Sequence, residues 1–410
     1  MPSRYARPAA IFGAVLALAG SGALSRALAE PLTLDAAISR AQTQSPLVTA
    51  AEASVKAAEG RARQAGLMPN PEAGLQSENF SGSGPYGRFG AAETTATISQ
   101  RLELGGKRRT RAAAANAEVD SARIGFVIAK ADLTQEVRVR YAEALAAQDR
   151  LVLARETATR AEGLSKVAGT LVEAGREPPL RALRAEAASR EAAAAVIGAE
   201  AEALAARRAL VTLWGDAGEA IELVRAPQAA APVQATIDPG ETLDVRQARA
   251  DLQTARAVID RERAVGRPDL TVQAGVRRFE QTGDSAMIVG FTAPIPISNR
   301  NQGSVAAARA DATAAEARER LALARSVRAV RDGEASLRAA NARLEVLDSK
   351  IVPQAQTAVD LARSGFEAGK FSLLEVLDAQ GALTTARTEL IAARLERAKA
   401  LAALERAAAQ

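Results

Sequence analysis

Two hydrophobic periodicities alternate along the chain. Residues 105–173 are rich in Ala, Arg, Glu and Leu, and no Pro falls between Pro85 and Pro178. Strong helix formers without a breaker predict one continuous helix, about 100 Å long at 1.5 Å per residue. Residues 303–367 predict a second helix of nearly that length, kinked at Pro353, where the ring removes a backbone donor. Within it Val330, Leu337, Leu344 and Ile351 recur every seven residues, and Gly333, Ala340 and Leu347 fill the position three later. That spacing predicts a coiled-coil seam whose small residues let helices approach closely.

Ahead of each long helix the period drops to two. In 269–277 Leu270, Val272, Ala274 and Val276 share one side; in 287–293 Met287, Val289, Phe291 and Ala293 do. Residues 94–101 set Ala96 and Ile98 against Thr95, Thr97, Ser99 and Arg101, and 71–80 alternate most weakly. These stretches predict β-hairpins over about 71–101 and 269–294. Strands of this length with period two suit a membrane-spanning sheet; a soluble hairpin stays open on pattern alone. Five aromatic residues, Phe80, Tyr86, Phe89, Phe279 and Phe291, fall in these two hairpins. Such clustering predicts an interfacial girdle in contact with lipid rather than a scattered core.

The plan occurs twice. "RQAGLMPNPEAGLQ" (63–76) matches "RAVGRPDLTVQAGV" (263–276), and "LVEAGREPPLRALRAE" (171–186) matches "GFEAGKFSLLEVLDAQ" (365–380), at offsets of 200 and 194 residues. The expected organisation is a first repeat over 30–214, a Pro- and Ala-rich linker over 215–241 and a second repeat over 242–410. Each repeat runs helix, hairpin, long helix, Ala-Gly turn (Ala174-Gly175, Ala368-Gly369), helix. Residues 1–29 carry Arg4 and Arg7, an apolar stretch over 8–20 and a small-x-small site at 27–29, which predicts a cleaved secretory signal.

The chain has no Cys and no His, which excludes Ser–His, Cys–His and imidazole–metal chemistry and leaves no tight metal site and no acylated N-terminus. No cofactor and no enzymatic activity are expected. Removing the signal takes three Arg from a formal charge of +5, so the basic pI does not point to nucleic acid. No other segment is apolar enough for a membrane helix, so any crossing must use strands. Four strands cannot close a barrel, and lipid tolerates no open edge. The chain is therefore expected to be mainly α with a small β part, a homotrimer whose copies share a 12-stranded β-barrel above a coiled-coil α-barrel.

At "FEAGKFSLLEVLDAQGALTTAR" (366–387) the sequence resembles TolC-type outer-membrane efflux factors, and the likeness covers essentially the whole mature chain. "GLMPNPEAGLQSE" (66–78), "RLELGGKRR" (101–109) and "PIPISNRNQG" (294–303) are similar to the cobalt–zinc–cadmium resistance branch. The resemblance implies a passive exit duct in the outer membrane of a Gram-negative bacterium, with a long periplasmic extension. Its implied partners are a periplasmic adaptor, docking at the two Ala-Gly turns, and an inner-membrane resistance–nodulation–division pump. It also implies a periplasmic gate lined by two acids, which match Glu375 and Asp378. The first repeat carries Arg181 and Arg184 at the equivalent positions, suited to pairing with carboxylates; ordinary surface charge is the alternative. A drug or organic-solute duct of the same family, or a coiled-coil adaptor, are the competing functions.

Overall fold

The computed structural model describes residues 32–215, 222–225 and 237–410. The expected signal at 1–29 and most of the expected linker lie outside the described residues. Two short-range helices, α1 (Leu34–Gln44) and α2 (Pro46–Ala65), precede strands β1 (Glu72–Glu78) and β2 (Glu93–Leu102). Then come α3 (Lys107–Glu173) and α4 (Pro179–Val211). The second repeat follows the same order: α5 (Leu243–Val265), β3 (Leu270–Phe279), β4 (Ser285–Thr292), α6 (Gln302–Val346), α7 (Val352–Glu367) and α8 (Leu373–Ala407).

The 67 residues of α3 form one uninterrupted helix, as the absence of Pro and the wealth of Ala predict. It starts after Gly105 and Gly106, both at positive φ, and ends before Gly175 (φ +71). Near the sheet α3 packs on α2 and α5; at the far end it packs on α4 and α8. The second long helix lies across α5 and α8.

That second helix differs from expectation at its middle. The ladder widens into a π turn over Leu347–Ile351, where the Val352 amide bonds back to the Leu347 carbonyl. The extra residue rotates the chain by about 100°. Val330 and Leu347 are buried, but Ile351 is 39% exposed, so the seven-residue series leaves the seam there. The departure from regular helix falls just ahead of Pro353, where a kink is expected. Close approach at Gly333 is observed: a Cβ there would sit 3.2 Å from the Leu404 side chain.

A mid-height core joins α1, α3 and the end of α4 around Val137, Tyr141, Leu210 and Trp214. The buried Tyr141 hydroxyl lies 2.8 Å from the Leu32 carbonyl and 2.7 Å from that of Val224, tying two distant strands of chain to α3. Beside it Arg406 of α8, mostly buried, joins Asp244 of α5 at 3.0 Å and Asp132 of α3. The molecule is therefore pinned at its waist, with a sheet at one end and two helical tips at the other.

Candidate functional site

The four strands form one antiparallel sheet in the order β1-β2-β3-β4. Its register sets Leu75 opposite Ala96, Ala96 opposite Val276 and Val276 opposite Met287; the next row is Ala73, Ile98, Ala274 and Val289. Because side chains alternate along a strand, these rows make one apolar face across all four strands. It is open to the surroundings: Leu75 is 77% exposed, Ile98 63%, Met287 83% and Phe291 68%. A contiguous apolar face of this kind marks a surface meant for lipid or a partner.

The opposite face is polar. Arg277 bonds Glu93 at 2.9 Å and Thr95 at 3.0 Å, and approaches Glu78 at 3.4 Å. Thr97 lies flat over Gly74 and Gly275, where added Cβ atoms would sit 3.0 Å and 2.8 Å from its side chain. The sheet thus has one face for an apolar environment and one for water. Both edges, β1 and β4, lack a partner strand among the described residues.

Where the sheet hands over to helices, side chains lock the joints. Arg111 donates to the carbonyls of Ala65 (2.7 Å) and Leu67 (2.9 Å), capping the end of α2, and pairs with Glu103. Lys107 meets Asp269 at 2.7 Å, both largely buried. Arg267 crosses Gly105, where a Cβ would strike its side chain at 2.2 Å. In the second repeat Asn301, at φ +60, donates to the Glu262 carbonyl and carboxylate. That hydrogen bond, the largest influence, holds the Glu262 carboxyl below its usual range.

The two helical tips share one backbone design. Arg176 N–H bonds the Leu171 carbonyl and Lys370 N–H bonds the Gly365 carbonyl, each across a Gly at φ +71 or +70. These are Schellman turns, which require the left-handed region that Gly enters freely. The side chains then diverge. In the second tip the Phe371 ring folds onto Gly365, where a Cβ would lie 2.1 Å from ring Cδ2. Ser372 and Glu375 form a reciprocal capping box on α8. In the first tip Pro178 caps nothing with its side chain, and Arg181 pairs with Glu177 in its own hairpin. The tips pack together through Ala168, Ala185 and Leu373.

The sequence-predicted residues fall as follows. Ala174, Gly175, Ala368 and Gly369 form the two turns. Glu375 and Asp378 are exposed, Glu375 being held by the Ser372 amide. Within one chain, Arg181 and Arg184 make no contact with either acid among the described residues. Phe80 and Phe89 stack at 6.5 Å in the β1–β2 connection, which also carries Tyr86, and Phe291 sits on the apolar face toward the other end of the sheet. The register pairs Phe279 with Glu93, which puts it on the polar face with Arg277. Sequence reasoning missed the capping box, although its Ser-x-x-Glu pattern at 372–375 was legible. It also missed Arg111 and Asp269, whose partners lie far away in sequence.

Comparison with known proteins follows this geometry closely. The family model for outer membrane efflux proteins matches residues 37–216 and 240–410. The cobalt-zinc-cadmium resistance protein CzcC of Cupriavidus metallidurans is 31% identical over 370 residues, 88% of this chain and 86% of that protein. The nickel-cobalt-cadmium resistance protein NccC of Alcaligenes xylosoxydans xylosoxydans is 31% identical over 76% of this chain and 71% of its own length. Among solved structures, the outer membrane protein VceC of Vibrio cholerae aligns with a TM-score of 0.76 at 21% identity, covering 91% of this chain and 95% of VceC. The CmeC outer membrane channel of Campylobacter jejuni aligns at 0.78 and 13% identity over 91% of this chain and 85% of its own. Both share the fold.

Proposed function

Because the chain belongs to the outer membrane efflux protein family, we propose that it is the exit duct of a tripartite efflux system that expels divalent heavy-metal cations. The observation that carries the metal assignment is the 31% identity to a cobalt-zinc-cadmium resistance protein over nearly the full length of both chains. The exposed apolar sheet face supports the duct. It sits above a helix of 67 residues, about 100 Å at 1.5 Å per residue, long enough to reach well into the periplasm.

The sheet edges support closure into a ring of copies, which we take as a homotrimer sharing twelve strands. Strands β1 and β4 run in opposite directions, so β4 of one copy can pair with β1 of the next and keep the antiparallel alternation. Closure leaves no edge in lipid. Phe80, Tyr86 and Phe89 at one end of the sheet and Phe291 toward the other are suited to the two membrane interfaces; Phe279 faces the lumen in this arrangement. The exposed turns at Ala174-Gly175 and Ala368-Gly369 are the docking points for a periplasmic adaptor, which links the duct to a resistance–nodulation–division pump. At the gate, the three-fold set of Glu375 and Asp378 attracts cations. Arg181 and Arg184 would reach those acids only across hairpins, in competition with Glu177. The duct holds no thiolate or imidazole, so soft and borderline cations pass without tight capture.

Deleting the gene tests this reading. Growth of the deletion strain is expected to fall on cobalt, zinc or cadmium while sensitivity to hydrophobic drugs stays near the parent's. Sensitivity to drugs alone would overturn the metal assignment and leave the duct standing.

A further inference from the structure

The four points where strands meet helices all lie at one end of the sheet: before β1, after β2, before β3 and after β4. Far apart in sequence, residues 59–72, 100–111, 260–270 and 293–303 converge there. Together they hold eleven Arg and Lys against six Asp and Glu, a surplus equal to the +5 of the entire chain. All six acids are already engaged: Glu59 with Arg123, Glu72 with Arg101, Glu103 with Arg111, Asp260 with Arg263, Glu262 with Arg261 and Asp269 with Lys107. Arg61 pairs with Glu118 further along α3. Arg63, Arg108, Arg109, Arg267 and Arg300 remain, all exposed and without a carboxylate partner among the described residues.

The same stretches expose apolar side chains. Leu67 is 57% exposed, Met68 68%, Ile295 82% and Ile297 77%. Ile295 and Ile297 follow the end of β4 on either side of a tight turn at Pro296, in which the Ile297 N–H bonds the Ile295 carbonyl. Exposed apolar residues interleaved with unpaired arginines suit the boundary between acyl chains and headgroups, where long basic side chains keep their stems in the apolar layer and their charge outside. Guanidinium binds phosphate oxygens in bidentate fashion, and basic clusters beside a membrane segment are drawn to anionic lipid.

We propose that this collar binds the phosphate groups of anionic phospholipids in the periplasmic leaflet of the outer membrane, fixing the depth at which the duct sits. The proposal rests on the reading of the sheet as a membrane wall. Its partner is taken as the lipid surface because the collar's own carboxylates are already paired within one chain and its remaining arginines stand among exposed apolar side chains.

The test uses the full-length protein reconstituted in nanodiscs of phosphatidylethanolamine with a minor share of phosphatidylglycerol, re-extracted in mild detergent, with retained lipid measured by mass spectrometry. Phosphatidylglycerol is expected to be enriched at least threefold over its share of the mixture. A variant with Arg63, Arg108, Arg109, Arg267 and Arg300 all changed to Gln should retain it at that share, and the corresponding five-Lys variant should keep most of the enrichment. If the five-Gln variant does not accumulate, Arg108→Gln with Arg109→Gln should at least halve the enrichment. No enrichment in the parent protein, or equal enrichment in the Gln variants, overturns the proposal. Gln variants that lose their trimer in lipid-free detergent also overturn it, by showing that the arginines pair copy to copy. A parent protein that does not enter bilayers at all would instead defeat the membrane-wall reading itself.

Discussion

The two helical tips have the same backbone and different chemistry. Both turn through a Schellman motif with Gly at φ +71 or +70, and both join a long incoming helix to a shorter outgoing one. The outgoing helix of the second tip begins with a capping box from Ser372 and Glu375. At the matching N3 position the first tip has Arg181, a cation set against the positive end of its helix dipole and held by Glu177. The incoming helices differ too. The α3 helix runs unbroken, whereas the second repeat carries a π turn at Leu347–Ile351, facing α8 through an Asp348–Arg394 pair at 3.0 Å. Duplication kept what the turn demands of the backbone and let the side chains take separate roles: Arg181 and Arg184 on the first tip stand where the internally capped second tip has Glu375 and Asp378.

The largest effect is expected from breaking what the tips share. Gly175→Val and Gly369→Val force a β-branched residue into the left-handed region at a cost of about 1–2 kcal/mol. Neither meets a neighbour within 4 Å, so the strain stays local. Each is expected to abolish metal resistance while trimers still reach the membrane, measured by growth and by cross-linking. Full resistance in both removes the tips from adaptor docking, and loss in only one makes the tips unequal partners.

The charge difference comes next. Replacing Glu375 and Asp378 by Ala should weaken block by multivalent cations several-fold in planar-bilayer recording. Unchanged block would put both acids on an ordinary solvated helix face. Arg181→Glu combined with Glu375→Arg measures any coupling between hairpins through a double-mutant cycle, and additive effects would mean that the two sites do not meet.

Smaller effects separate the packing of the tips. Gly365→Ala should displace the Phe371 ring and destabilise the second tip by about 1–3 kcal/mol, more than the roughly 1 kcal/mol that Ala adds to a helix. Adding Phe371→Ala should reverse the loss, read by hydrogen exchange at the tip. Ser372→Ala should cost about 1 kcal/mol. The equivalent Pro178→Ala, where no side-chain cap exists, should leave the protection of α4 nearly unchanged.

The parts of the molecule built from local rules were legible in the sequence. Period two gave the register-bearing faces of β2, β3 and β4, and the absence of Pro gave α3. What depended on a single inserted residue or on distant partners was not legible. The π turn leaves no mark in a seven-residue count that runs on to Ile351. Phe279 carries the composition of a girdle residue, and only the pairing with Glu93 reveals its face. The basic collar is divided among four stretches that each look like ordinary surface charge until the sheet brings them together. Glu375 stands out in the sequence for its charge, while its bond to the Ser372 amide gives it a structural task within the chain as well.

A four-stranded sheet that serves as a membrane wall must face lipid on one side and the conducting lumen on the other. The chain contains no Cys, so single cysteines can be placed along β4 without background. In reconstituted protein, Met287→Cys and Val289→Cys should resist a membrane-impermeant thiol reagent and react with a lipid-soluble one. Ile288→Cys, on the opposite face, should react with the impermeant reagent and lower the single-channel current. Alternation with a period of two is the predicted result. Uniform reaction of all three positions with the impermeant reagent, with no change in current, would contradict the account.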